Sequence, residues 1–370
     1  MAAERPIPIR RVRRTGAVDE LGEWRPESHR LVLHSNGFPL APPGSRLIEG
    51  ELPWVFDELA PDGFLASRFS KMFPDLQLPA IRNLWTARHV VDAISIRGHD
   101  LAGNLLVGEG SHQRFLNIFR AGSSPGPRRS EAPRHYPVFV DQVLRADVFR
   151  SSVGGARPKF ALRLDDGSGV IVKFTPPLST PAGRRWADLL RMEAHASAVL
   201  RGDGIEAAVS RYFEIGARGY LEIDRFDRLV GGGRTGHVTL FHLAVALYQE
   251  LVDPLPVVQA LVRDGHLQDE DAIRFGRIHS FSRAIANTDT HLGNYGLLID
   301  DEGRARLAPA YDVLPMAFAP RHDELPDGLV SRVGARDAAT GRLVERLIAA
   351  VRTDHGISRE FAEAWLRVVG

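Results

Sequence analysis

The period of apolar and polar positions changes along the chain, and those changes mark its units. HRLVLHS reads as one strand within an N-terminal stretch otherwise made of loop and short strand. ELPWVFDELAPDGFLASRFSKMF carries two helical patterns split by Pro61-Asp62-Gly63, a turn signal. Trp54, Phe56 and Leu59 suit a buried face, as do Phe64, Leu65 and Phe69. Residues 86 to 97 read as a helix, and Asn104 to Gly110, NLLVGEG, as a short strand.

AGSSPGPRRSEAPRH, residues 121 to 135, has almost no apolar content and is rich in Gly, Pro, Ser and Arg, the composition of a linker. A surface loop inside one domain is the competing reading. Beyond it, YPVFVDQVLRADVF accommodates strand and helix. FALRL and VIVKF flank Asp165-Asp166-Gly167-Ser168-Gly169, a hairpin signal. A helix follows from Ala182 to Leu200, with Pro181 at its start, where a missing amide proton costs little. RYFEIG and GYLEIDRF form a second β pair. From Leu240 to Ile285 the pattern is mostly helical, with breaks at Pro254, Pro256 and Gly265, and helices fit Ala338 to Arg352 and Arg359 to Val368. No repeat of fixed period is present. The expected organisation is an N-terminal subdomain (1–120), a linker (121–135), a β-rich lobe (136–232) and a helical lobe (233–370). This is an α+β, two-lobed, protein-kinase-like layout.

Composition narrows the classes. The chain has 370 residues, 44% hydrophobic and 25% charged, with a formal net charge of +1, so nothing in the total points to nucleic acid. There is no cysteine, which excludes disulfides and thiolate chemistry and fits a cytoplasmic protein. No apolar run approaches the roughly 20 residues of a membrane helix, and MAAERPIPIRRVRR has no signal-peptide core. Its basic cluster, Arg10, Arg11, Arg13 and Arg14, reads as a solvated tail, with contact to phosphates or an acidic partner as the alternative.

The candidate chemistry sits in NTDTHLGNYGLL, Asn287 to Leu298. Asp289 and Asn294 have the spacing D-x-x-x-x-N. In phosphoryl transfer, that spacing lets the Asp face an acceptor hydroxyl while the Asn reaches a metal on the nucleotide phosphates. His291 lies between them, and Asp312 in LAPAYDVLP supplies a second metal ligand. An Asn/Asp-rich turn capping backbone groups is the bland alternative. A calcium loop is rejected, because its twelfth position is Leu298 and not Glu. SSVGGARPKF, Ser151 to Phe160, suits a loop whose amides approach phosphate oxygens, although it matches neither a Walker-type loop nor G-x-G-x-x-G. Lys173, on the strand VIVKF, is costly to bury unless paired; Glu193 is a candidate partner, with Glu206 and Glu214 open as well. In RFDR, the backbone near Asp224 and Phe226 could meet an adenine edge, or the motif is a salt bridge beside a core Phe. His237, His242 and His279 have no metal-binding spacing.

In order, SSVGGARPKF, VIVKF, RFDR, NTDTHLGNYGLL and LAPAYDVLP resemble the HipA-type serine/threonine kinases, the toxins of bacterial type II toxin–antitoxin modules. FDELAPDGF and DLAGNLLVGE add N-terminal likeness. The resemblance implies ATP and Mg2+ as cofactors. It implies Asp289 as catalytic base with His291 in the same loop, Asn294 and Asp312 as metal ligands, and Lys173 as the phosphate-binding lysine. Gly154, Gly155, Ala156, Arg157 and Lys159 fall in its phosphate loop, and Asp224 and Phe226 at its hinge. Ser152, or the adjacent Ser151, falls where the family is autophosphorylated. Pro158 departs from the family, which often carries an acidic residue there. A protein substrate, in the family an aminoacyl-tRNA synthetase, and a separate DNA-binding antitoxin are the implied partners. No direct nucleic-acid binding and no membrane are expected. A small-molecule phosphotransferase of the aminoglycoside-kinase type and a non-catalytic partner-binding pseudokinase are the alternatives.

Overall fold

The computed structural model describes residues 6–28, 30–33, 53–61, 69–119, 126–145, 158–248, 251–321, 325–326 and 337–370. Ser151, Ser152 and Gly154 to Arg157 lie outside them, as do the turn at Asp62-Gly63 and the apolar pair Phe64 and Leu65.

The N-terminal unit is built on an antiparallel sheet of β1 (Ile7–Val12), β2 (Val18–Arg25), β3 (Arg30–Leu33) and β4 (Leu105–Val107), in the order β3-β2-β1-β4. Helices α1 (Trp54–Leu59) and α2 (Ala87–Arg97) contribute Phe56, Leu59, Val90 and Ile94 to a core with Ile9, Trp24 and Val107. Trp24 and Phe56 meet edge to face at 6.0 Å. Thr86 caps α2 in a capping box with His89. The strand expected from Asn104 to Gly110 stops at Val107, and α3 (Gly108–Phe119) begins at once. Gly108 makes this possible: its φ is +77°, and a Cβ there would lie 2.5 Å from that of Ser95.

The basic N-terminus is no solvated tail. Alternation on β1 turns Arg11 inward, where it donates to the carbonyl of Asp301 at 2.9 Å and to Asp19 at 3.2 Å. Arg10 pairs with Glu109 at 3.0 Å, and Arg13 also reaches Asp19. A run of positive charge that looks free in one dimension is met by the carboxylates of Asp19 and Glu109 and by the carbonyl of Asp301.

The β-rich lobe follows. Helix α4 (Tyr136–Arg145) occupies the whole of the YPVFVDQVLR stretch. Strands β5 (Lys159–Arg163), β6 (Gly169–Phe174), β7 (Ser210–Ile215) and β8 (Arg218–Asp224) form an antiparallel sheet in the order β5-β6-β8-β7, with α5 (Pro181–Gly202) between β6 and β7. The β5–β6 hairpin turns where Gly167 has φ +86°. Thr180 caps α5 by accepting from the Gly183 amide at 3.0 Å. Tyr136 of α4 is buried against Phe160, Phe213 and Tyr220, and the stretch before it also lies on the sheet: Pro127 accepts from the Asp165 amide at 3.2 Å and Ala132 is buried.

The helical lobe starts with β9 (Gly236–Thr239) and α6 (Leu240–Leu247), followed by α7 (Pro254–Arg263) and α8 (Asp269–Ala284). Strands β10 (Gly296–Ile299) and β11 (Ala305–Leu307) join β9 in a small sheet ordered β11-β10-β9. Helices α9 (Ala338–Thr353) and α10 (Arg359–Val369) close a core around Phe275, Phe281, Phe318 and Trp365. Among the described residues, no helix is long and apolar enough to cross a membrane. The layout is the expected α+β arrangement: a β-rich lobe, a helical lobe and an N-terminal unit packed on both.

Candidate active site

The centre of the site is an ammonium between two carboxylates. Pairing within the β sheet turns Lys173 of β6 toward α5, where it is 4% exposed. Its Nζ donates to both oxygens of Glu193, at 2.6 and 2.8 Å, and to Asp312 Oδ1 at 2.5 Å. Glu193 is 2% exposed, so each charge makes the other's burial tolerable. The other glutamates open from sequence are engaged elsewhere: Glu206 with Arg306 and Arg274, Glu214 with Arg191 and Tyr212.

Asp312 has φ +55°, the left-handed region. A non-glycine residue there costs about 1–3 kcal/mol and persists where its surroundings over-determine it. The surroundings here are Lys173 on the side chain and Asn287 on the backbone, whose Nδ2 donates to the Asp312 carbonyl at 3.3 Å.

Asn287 is the residue of the candidate site that sequence reasoning undervalued. Helix α8 ends at Ala284, and Ala286 turns the chain with φ +69°. Asn287 is thereby buried; it donates to Ser282 Oγ at 2.8 Å, and its Oδ1 accepts from the Asp289 amide at 3.0 Å. One side chain ties both acidic segments together. Its signal in the sequence was an Asn directly after a helix end and two residues before the Asp, an Asx-turn pattern.

Beyond Asn287 the loop is held mainly by its backbone. Asn294 Nδ2 donates to the Asp289 carbonyl at 2.6 Å, and Tyr311, the neighbour of Asp312, donates to the Gly293 carbonyl at 3.2 Å. The Asp289 carboxylate is left open: it is 45% exposed, with His291 Nε2 at 3.3 Å, itself 62% exposed. His291 Nδ1 accepts from the Gly293 amide at 3.0 Å. The structure therefore brings Lys173, Asp289, His291, Asn294 and Asp312 into one bonded network. Lys159 lies opposite Lys173 in the β5–β6 ladder.

RFDR behaves differently. Asp224 accepts from Arg129 at 2.5 Å, and Phe226 packs between His237 and Tyr311, with centroids at 5.7 and 5.9 Å. Arg225, Asp227 and Arg228 form a buried salt-bridge cluster with Asp100 of the N-terminal unit. Burial raises the Asp227 carboxyl's pKa, but Arg225 and Arg228 outweigh it and hold the group far below the usual carboxylate range. The histidines are structural here: His279 bonds Tyr295 at 3.0 Å, and His242 pairs with Glu58 of α1 at 2.6 Å.

Among the described residues, no group of three or more His, Asp or Glu side chains could hold a metal ion. Asn294 and Asp312 each carry a hard oxygen donor, the kind of ligand that suits Mg2+, an ion that keeps waters and substrate phosphates as its other ligands.

Two family descriptions match the chain: "HipA-like C-terminal domain" over residues 151–369 and "YjjJ-like toxin, middle domain" over residues 3–116. The chain belongs to the HipA-type toxins, and its fold is α+β. Toxin YjjJ of Escherichia coli (strain K12) is 31% identical over 325 residues, covering 85% of this chain and 70% of that protein. The Shewanella oneidensis MR-1 HipA, solved with HipB and operator DNA, aligns over 97% of this chain and 96% of its own, with a TM-score of 0.55 and 15% identity, a likeness of fold.

Proposed function

We propose that this chain is an ATP- and Mg2+-dependent serine/threonine protein kinase of the HipA toxin type. The observation that carries the reading is the junction at Asp312: Lys173 holds its side chain, and Asn287 holds its backbone to the Asp289 loop. Lys173, fixed by Glu193, grips the nucleotide phosphates. Asp289, open to solvent, orients a Ser or Thr hydroxyl and accepts its proton. Asn294 and Asp312 hold Mg2+, which when bound neutralises charge on the phosphate oxygens. His291 steadies Asp289. Gly154, Gly155, Ala156, Arg157 and Lys159 cover the phosphates, and the segment Asp224 to Phe226 faces adenine. Ser152 or Ser151 is the autophosphorylation site.

The protein substrate is a cellular protein, by family likeness an aminoacyl-tRNA synthetase. A DNA-binding antitoxin is the proposed partner, supported by the HipA neighbour solved with HipB and its operator. Cytoplasmic action follows from such a target.

Phosphoproteomics after matched expression of wild type and Asp289→Ala tests the reading. New phosphoserine or phosphothreonine sites in wild type alone are expected. Equal sites with both proteins would refute the assignment of Asp289; on incubation of a cell extract with labelled ATP, label in a metabolite with no labelled protein would instead establish a small-molecule phosphotransferase.

A further inference from the structure

Away from Lys173, a cavity of about 200 Å3 lies where the N-terminal unit meets the β5–β6 hairpin, lined by His99, Ile118, Gly169, Arg225, Arg228 and Arg234. At roughly 30 Å3 per water, it has room for a tetrahedral oxyanion and a few waters.

Charge in this cavity does not balance. Arg225 and Arg228 share Asp227 and Asp100, at 2.9 to 3.2 Å. The third guanidinium, Arg234, is 2% exposed. Its Nη2 donates to the His99 carbonyl at 2.6 Å, and its Cζ lies 4.8 Å from the Phe115 ring centroid. Among the described residues, its Nε and Nη1 are buried without a partner, and so is His99 Nδ1. Burial, with Arg228 close by, pushes Arg234 toward losing its proton. Arginine keeps that proton in proteins, so what is missing is a negative charge. Burial also lowers the pKa of His99, which favours the neutral ring. Buried donors of this kind are rare unless something fills them.

Local geometry opens the space. A Cβ at Gly169 would lie 3.2 Å from Arg225 Cδ and 3.4 Å from Arg228 Cγ, so a bare strand end lets both arginine stems cross it.

We propose that this cavity binds a small oxyanion, inorganic phosphate or the phosphoryl group of a small phosphomonoester, held by Arg234 with Arg225, Arg228 and His99. The site is distinct from the Lys173 centre and does not depend on the kinase reading.

Calorimetric titration of the full chain with inorganic phosphate, and separately with glycerol 3-phosphate, tests this. Saturable binding of at least one is expected, weakened tenfold or more by Arg234→Met and held within twofold by Lys173→Gln. Ile118→Trp, which fills the cavity while keeping every arginine, serves as the second variant and gives the same loss. Tighter binding of glycerol 3-phosphate identifies a metabolite as the source, and tighter binding of phosphate the free ion. Absence of saturable binding by either, or binding lost with Lys173→Gln and kept in Ile118→Trp, overturns the proposal.

Discussion

Two aspartates of this chain sit among basic residues, and the fold treats them oppositely. Asp227 is sealed between Arg225 and Arg228, with side chains 8%, 7% and 6% exposed. Asp289 stands beside His291 with side chains 45% and 62% exposed. The sealed cluster also takes the Gly103 amide at 2.9 Å and Asp100, so it fastens the N-terminal unit to the β-rich lobe. In the open one, the backbone is pinned and the carboxylate is left free to meet something else. The sealed carboxylate serves architecture here; a pinned but open carboxylate is what chemistry needs.

The contrast can be broken by experiment. The largest expected effect is on Asp289→Ala, which should cut phosphate transfer from labelled ATP by about 10²- to 10⁴-fold. Its thermal melting should match wild type, and a large drop in melting temperature would move Asp289 into the structural class. Next comes Asp227→Ala, which strands two buried guanidiniums and should cost about 3–5 kcal/mol in urea unfolding. The fraction still folded should transfer phosphate normally; a folded but inactive variant would mean that the sealed cluster takes part in the chemistry.

A pH series sharpens the same point. The folded-state pKa of Asp227 lies below its unfolded value of about 3.9, so its contribution is complete above that value. That contribution is lost as pH falls from there toward the folded pKa. Wild type should therefore lose stability between pH 4 and pH 2 more steeply than Asp227→Asn, read as the shift in urea midpoint. Parallel curves would show that the cluster does not hold that carboxyl down. The smallest effect belongs to His291→Ala: an exposed pair is worth about 0–1 kcal/mol, so unfolding should scarcely change.

Much of the site was legible because its signals are local. The D-x-x-x-x-N spacing, the strand lysine and the hairpin around Gly167 each rest on residues close in sequence, and the loop bond from Asn294 to the Asp289 carbonyl spans five positions. The N-terminal arginines misled for the opposite reason. Arg11 finds its carbonyl partner 290 positions away, and nothing local distinguishes such an arginine from a solvated one.

The sequence by itself determined the succession of β-rich and helical units and the polar residues gathered between Asn287 and Asn294, since periodicity and turn chemistry act over a few residues. Only the tertiary structure decided which glutamate meets Lys173, that Asp312 closes on it from 139 positions away, and that RFDR is mainly a buried lock. Those outcomes depend on which distant surfaces pack together and on what burial does to a charge, and neither is written in the neighbouring residues.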